Sequence, residues 1–110
     1  MKSRSLAIAG LFATLVLVAV PLLAEGDPAA GKNKTAMCAG CHGIPGFRAA
    51  YPETYQVPKL GGQNPAYIVA ALKAYKAGER NHATMKAIAF SLTEQDMADL
   101  AAYYARTGKN

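Results

Sequence analysis

Two thiols and an imidazole fall within five consecutive residues, Cys38-Ala39-Gly40-Cys41-His42. Two residues between the cysteines let one helical turn present both sulfurs to the same edge of a flat group. The histidine that follows is then directed at whatever lies beneath that edge. This is the spacing of covalent haem attachment, in which both cysteines add across the two vinyl groups and the imidazole binds the iron axially. A disulfide or a redox dithiol could use the same pair, but no stretch alternates as the strands of a thioredoxin-like fold require. A structural zinc site needs four protein ligands, and only Cys38, Cys41, His42 and the distant His82 are on offer.

The elements that must hold this motif begin with a leader. Met1-Lys2-Ser3-Arg4 is positive, and Leu6 to Ala24 is apolar and uncharged, which is a secretory pattern with cleavage after Ala24. The alternative is an uncleaved membrane anchor, since the apolar run is long enough to span a bilayer. Residues 1–24 are therefore expected to be a signal peptide and 25–110 a single small domain. So short a chain buries little core of its own, and a large apolar cofactor held by two tethers would supplement it.

The chain carries 12 Lys and Arg against 7 Asp and Glu, and two of the basic residues lie in the leader, leaving +3 for residues 25–110. These charges are scattered rather than clustered, so nucleic-acid binding is not indicated.

Asp27-Pro28 is a cap followed by a proline at the first helical position, and it predicts a helix running toward Cys38. Within it, Gly31 is a candidate point of close approach by another helix. From Gly43 to Gln63 the glycines and Pro45, Pro52 and Pro58 predict a loop too long for an inert connector. Its Tyr51, Tyr55 and Leu60 are expected against the cofactor, the two hydroxyls as candidate donors to a propionate.

Asn64-Pro65 repeats the capping signal. An apolar stripe through Tyr67, Ile68, Ala71, Leu72 and Tyr75 then predicts a second helix ended by Gly78, with Lys73 and Lys76 on its wet side. A polar loop bearing His82 and Met85 leads into a candidate short helix. Thr93 to Asp96 then caps a last helix whose buried stripe is Met97, Leu100, Ala101 and Tyr104. The expected fold class is all-α, with three principal helices and a short fourth as a further candidate.

These residues together resemble the class I c-type cytochromes, as a short bacterial monohaem kind. The resemblance runs through Gly31, Cys38 to Gly43, Pro58 to Gln63, Tyr67 to Arg80, Met85, Ser91 to Thr93 and Asp96 to Tyr104. The segment Ile44 to Val57 departs from it, being longer and more aromatic than in the shortest relatives. The resemblance implies one covalently attached haem c and a first helix crossing the last at Gly31 and Tyr103 or Tyr104. It also implies that the Pro58 carbonyl accepts the free N–H of the proximal His42. Met85 matches the distal axial ligand, with His82 as competitor and an exposed loop histidine as its ordinary reading. Met97 is core.

With His42 and Met85 both on iron, no substrate reaches the metal. The expected function is then electron transfer between redox partners in the periplasm, without enzymatic activity. The alternatives are a cytochrome subunit of a larger oxidoreductase and a ligand-binding or peroxidase-like haem domain. Lys59, Lys73, Lys76 and Lys86 are expected around the exposed haem edge, where they would steer acidic partners.

Overall fold

In the computed structural model the described residues are 10, 13–17, 25–50 and 54–107. The elements run α1 (Pro28–Lys32), α2 (Ala36–His42), β1 (Arg48–Ala49), β2 (Tyr55–Gln56), α3 (Pro65–Ala77), α4 (Ala83–Phe90) and α5 (Glu94–Arg106). Most of the leader, and Tyr51, lie outside the described residues. No helix among those described is long and apolar enough to cross a membrane.

The caps fall where the residue types put them. Asp27 accepts from the Ala29 N–H at 2.9 Å, Asn64 from the Tyr67 N–H at 3.1 Å, and Thr93 from the Asp96 N–H at 3.1 Å. The Asp96 carboxylate returns a bond from the Thr93 N–H, completing a capping box. Gly78 ends α3 at φ +80°, a conformation that side chains with a Cβ resist.

Two expectations are corrected. The first helix does not run unbroken to Cys38: α1 stops at Lys32, and a turn over residues 33–35 re-aims the chain before α2. The chain also holds a small sheet where no strand was expected. Strands β1 and β2 pair antiparallel with Arg48 opposite Gln56 and Ala49 opposite Tyr55, and the Val57 N–H extends the ladder to the Phe47 carbonyl at 3.0 Å. A ladder of two residues a side is too short to alternate visibly in sequence. Its effect is to fold Ile44 to Val57 back on itself, burying Val57 and fixing where Tyr55 points.

The core sits between α5 and its neighbours, α1 on one flank and α3 on another. Leu92, Met97 and Leu100 form its centre, with Leu72, Cys38 and Tyr104 packed against them. Met97, at 1% exposure, is core filler as expected. The α1–α5 crossing is set by glycines: a Cβ on Gly31 would overlap the Asp99 carbonyl and come within 2.9 Å of the Tyr103 Cβ. Of the two tyrosines expected at this crossing, Tyr103 is therefore the one that meets Gly31.

Beside the crossing lies an ionic knot. Asp99 is almost fully buried on α5, yet it accepts from Lys34 Nζ at 2.6 Å, the Asp27 N–H at 2.8 Å and the Gln95 amide at 2.8 Å. Lys34 also pairs with Asp96 at 2.8 Å. The Lys34 ammonium holds both carboxyls below the usual carboxylate range, Asp96 at about 2.

Candidate functional site

A cavity of about 460 Å³ opens between α2, the segment after β2, one face of α3, the start of α4 and the inner face of α5. Its size falls in the range of roughly 300–1,000 Å³ usual for cofactor pockets. From α2 it receives Cys38, Cys41 and His42, the first and third of these on successive turns of the same short helix. Both cysteines are free thiols, Cys38 half-buried and Cys41 exposed, so no disulfide joins them. Burial pushes the Cys38 thiol up, partly opposed by its hydrogen bond with Tyr104. Among the described residues no three His, Cys, Asp or Glu side chains converge in the manner a zinc site requires.

His42 Nδ1 lies 2.6 Å from the Pro58 carbonyl oxygen. A carbonyl only accepts, so Nδ1 carries the proton and Nε2 keeps its lone pair free for a metal. The extended segment after β2 makes this bond possible, and it brings Pro58, Lys59 and Leu60 to the cavity wall together. Tyr55 lines the cavity as well.

Met85 lines the cavity, but it is the third residue of α4 rather than part of a loop. A rigid turn therefore presents its thioether. Met97 does not line the cavity, whereas Met37 does at the exposed end of α2. Met37 shares its short helix with His42, so it cannot approach an occupant from the opposite face.

His82 is not an exposed loop histidine. It is the N-cap of α4, its Nδ1 accepting from the Met85 N–H at 3.2 Å, and its ring meets Tyr55 edge-on at 4.8 Å and Tyr75 at 6.2 Å. Histidine is an uncommon cap, so nothing in the sequence marked this role. Arg80 also escaped notice as a site residue: its guanidinium lies over the Tyr75 ring at 4.7 Å and lines the cavity.

Lysine placement differs from expectation too. Lys76 Nζ donates to the Leu92 carbonyl at 2.6 Å, and Lys73 pairs with Glu94 at 3.2 Å. Both tie α3 to the start of α5, and neither lines the cavity. Lys59 does line the cavity, and Lys86 is exposed on α4.

The lining is apolar with a cationic accent. Among the described residues Lys59 and Arg80 are its charged members, and none of those lining it is a carboxylate. That lining, with two thiols, an imidazole and a thioether on it, fits a flat apolar group carrying acidic substituents.

Comparison with known proteins agrees. The family profile described as Cytochrome c matches residues 28–107, and the chain belongs to the cytochrome c family. It is 42% identical over 83 residues to cytochrome c-554(548) of Halomonas halodenitrificans, covering 73% of this chain and 95% of that protein. With cytochrome c4 of Pseudomonas aeruginosa it shares 40% identity over 82 residues, 74% of this chain but 39% of that protein. A crystal structure of reduced cytochrome c4 from Pseudomonas stutzeri superposes with a TM-score of 0.59 at 31% identity, covering 74% of this chain and 46% of that one. The chain thus spans less than half of cytochrome c4. It also matches the cytochrome subunit of sulfide dehydrogenase of Chlorobaculum tepidum, 30% identical over 98 residues, 89% of this chain and 84% of that subunit. The small helical cytochrome c fold, one covalently attached haem c, and a role in electron transfer follow from this membership.

Proposed function

We propose that Cys38 and Cys41 carry the thioether links, that His42 and Met85 are the two axial ligands, and that the protein is a freely diffusing periplasmic electron carrier. The observation that carries this reading is the His42 Nδ1 to Pro58 bond of 2.6 Å, which commits Nε2 to the cavity. Haem supplies a one-electron ferric–ferrous couple. The chain's own residues decide how that couple behaves. Met85 offers a neutral thioether, which favours the reduced iron over what a second imidazole would give, and the apolar walls disfavour the extra charge of the oxidised form. Pro58 holds the His42 ring in one orientation, so little has to rearrange when charge changes. Cys41, exposed at the mouth, marks the edge where a partner comes closest.

An enzymatic reading needs an open position and an acid–base group beside it. The nearest candidate, His82, uses Nδ1 to cap α4, which removes half of its proton-handling capacity. A subunit reading is supported by the 84% span of the sulfide dehydrogenase cytochrome subunit. Shuttle and subunit share the same haem chemistry and differ in docking surface. Lys59 and Lys86 are the cations placed to attract an acidic partner there, and their steering would weaken as salt shortens its reach to roughly 8 Å at physiological ionic strength.

Native protein tests the ligation. Ferric protein should show the long-wavelength charge-transfer band of sulfur-ligated haem, and ferrous protein should fail to take up carbon monoxide. Ready uptake would contradict the carrier reading. Mass spectrometry of the holoprotein should find a chain starting at Glu25, whereas an intact Met1 in the membrane fraction would replace the secreted carrier with an anchored one.

A further inference from the structure

One side chain at the cavity rim is held ready for a partner that none of the described residues supplies. Gly78, in the left-handed conformation, turns the chain at the end of α3, and the Arg80 N–H is bonded back to the Ala74 carbonyl at 3.2 Å. That fixes the backbone of Arg80. Its guanidinium then lies 4.7 Å above the Tyr75 ring, and Nη1 reaches toward the Tyr67 hydroxyl at 3.4 Å. Both tyrosines come from α3 and both line the cavity.

Among the described residues the ion pairs involve Lys34 and Lys73, and none involves Arg80. Among the described residues, none that lines the cavity is acidic. A guanidinium ordered by two aromatic residues, with no carboxylate on it among the described residues, is a built receptor for one, because its planar fork binds carboxylate oxygens two at a time.

A second group on the cavity wall is chemically distinct. Cys38 packs with Leu72 and Tyr104 on the Leu92–Met97–Leu100 cluster, and that group shares no member with the row Tyr55–His82–Tyr75–Arg80–Tyr67. Haem is asymmetric in the same sense, with its vinyl groups on one edge and its two propionates on another. Fixing the vinyl edge on the cysteines leaves the carboxylates to be met elsewhere on the rim.

The geometry points to Arg80, clamped by Tyr67 and Tyr75, as the binding residue for one haem propionate. By neutralising that carboxylate it removes a negative charge that would otherwise stabilise ferric iron, so it raises the reduction potential. Lys59, the other cation of the lining, sits next to Pro58 on the histidine side and has no aromatic clamp. The inference rests on haem occupying this cavity with His42 and Met85 as ligands.

The test uses mature holoprotein and two readouts, the resonance Raman bending mode of the propionates and the reduction potential. Arg80→Gln should move the propionate mode to that of a solvated carboxylate and shift the potential downward. Arg80→Lys should recover most of the potential while the mode stays displaced, because a point charge replaces a fork. Lys59→Gln should leave the mode at its native position. An unmoved mode in Arg80→Gln overturns the inference, whether or not the potential falls, since a fall alone would make Arg80 a rim charge. A mode that moves in Lys59→Gln and not in Arg80→Gln overturns it in favour of Lys59. If Arg80→Gln yields no holoprotein, Arg80→Lys decides by itself, an unmoved mode again overturning the inference. Loss of the sulfur charge-transfer band in native protein would instead strike the ligand assignment, so the two failures remain separate.

Discussion

The α1–α5 corner and the cavity wall are built on opposite terms. At the corner the protein satisfies itself: Gly31 lets two backbones touch, α5 buries five residues from Met97 to Ala101, and Asp99 receives three hydrogen bonds. The wall does not. Helix α2 buries no residue at all and α4 buries only Ala89, although both carry residues proposed as tethers or ligands. On the proposed reading α2 and α4 take their packing from the cofactor, while α1 and the face of α5 turned away from the cavity pack on each other as a frame. The difference explains how so small a domain tolerates a hole of about 460 Å³.

The harshest way to break the comparison is to remove the tethers. Cys38→Ala/Cys41→Ala should lack thioether-linked haem, and hydrogen exchange should show α2 and α4 exchanging almost as in an unfolded chain. Residual protection should be confined to α1, α5 and their contact with α3. Equal loss of protection in both regions would mean that the frame has no independence.

Within the frame, Met97→Ala should cost about 2–5 kcal/mol in denaturant unfolding, the range for emptying a core site, with the ferric spectrum unchanged. Gly31→Ala should cost about 1–3 kcal/mol, since the added Cβ meets backbone that cannot easily give way.

Acid attacks the corner before the wall. Asp96 and Asp99 have carboxyls depressed in the folded state, so their contribution is complete above the unfolded value near 3.9 and is lost as pH falls through the folded value, about 2 for Asp96. Unfolding free energy measured from pH 5 down to pH 2 should therefore decline, and Lys34→Met should flatten the decline. An equally steep profile in that variant would remove the ionic knot from the account.

The smallest effect is expected at the cap of α4. His82→Ala should cost about 0.5–2 kcal/mol through a lost N-cap while the iron ligands stay in place.

How much of this was legible in the sequence depended on how local each signal is. Asp27-Pro28, Asn64-Pro65 and Thr93 to Asp96 announced helix starts because capping is a contact between near neighbours. The gathering of Cys38, Cys41 and His42 at one wall was visible for the same reason, and the His42–Pro58 bond and the place of Met85 on the cavity became so through the family resemblance. The break between α1 and α2 was hidden, since Lys32-Asn33-Lys34-Thr35 contains neither glycine nor proline. Lys73 and Lys76 read as solvated because their partners, Glu94 and the Leu92 carbonyl, lie far along the chain. Arg80 and His82 were silent for a related reason: their roles depend on aromatic rings that only the fold brings beside them.

The most direct test of the central claim is the long-wavelength ferric charge-transfer band of sulfur-ligated haem, recorded with carbon monoxide binding in Met85→Ala and His82→Ala. With Met85 as the distal ligand, Met85→Ala should lose the band, take up carbon monoxide when reduced and shift to a lower potential. His82→Ala should keep the band and stay closed to the gas. A band that survives in Met85→Ala, or one that vanishes in His82→Ala with Met85 intact, would contradict the assignment.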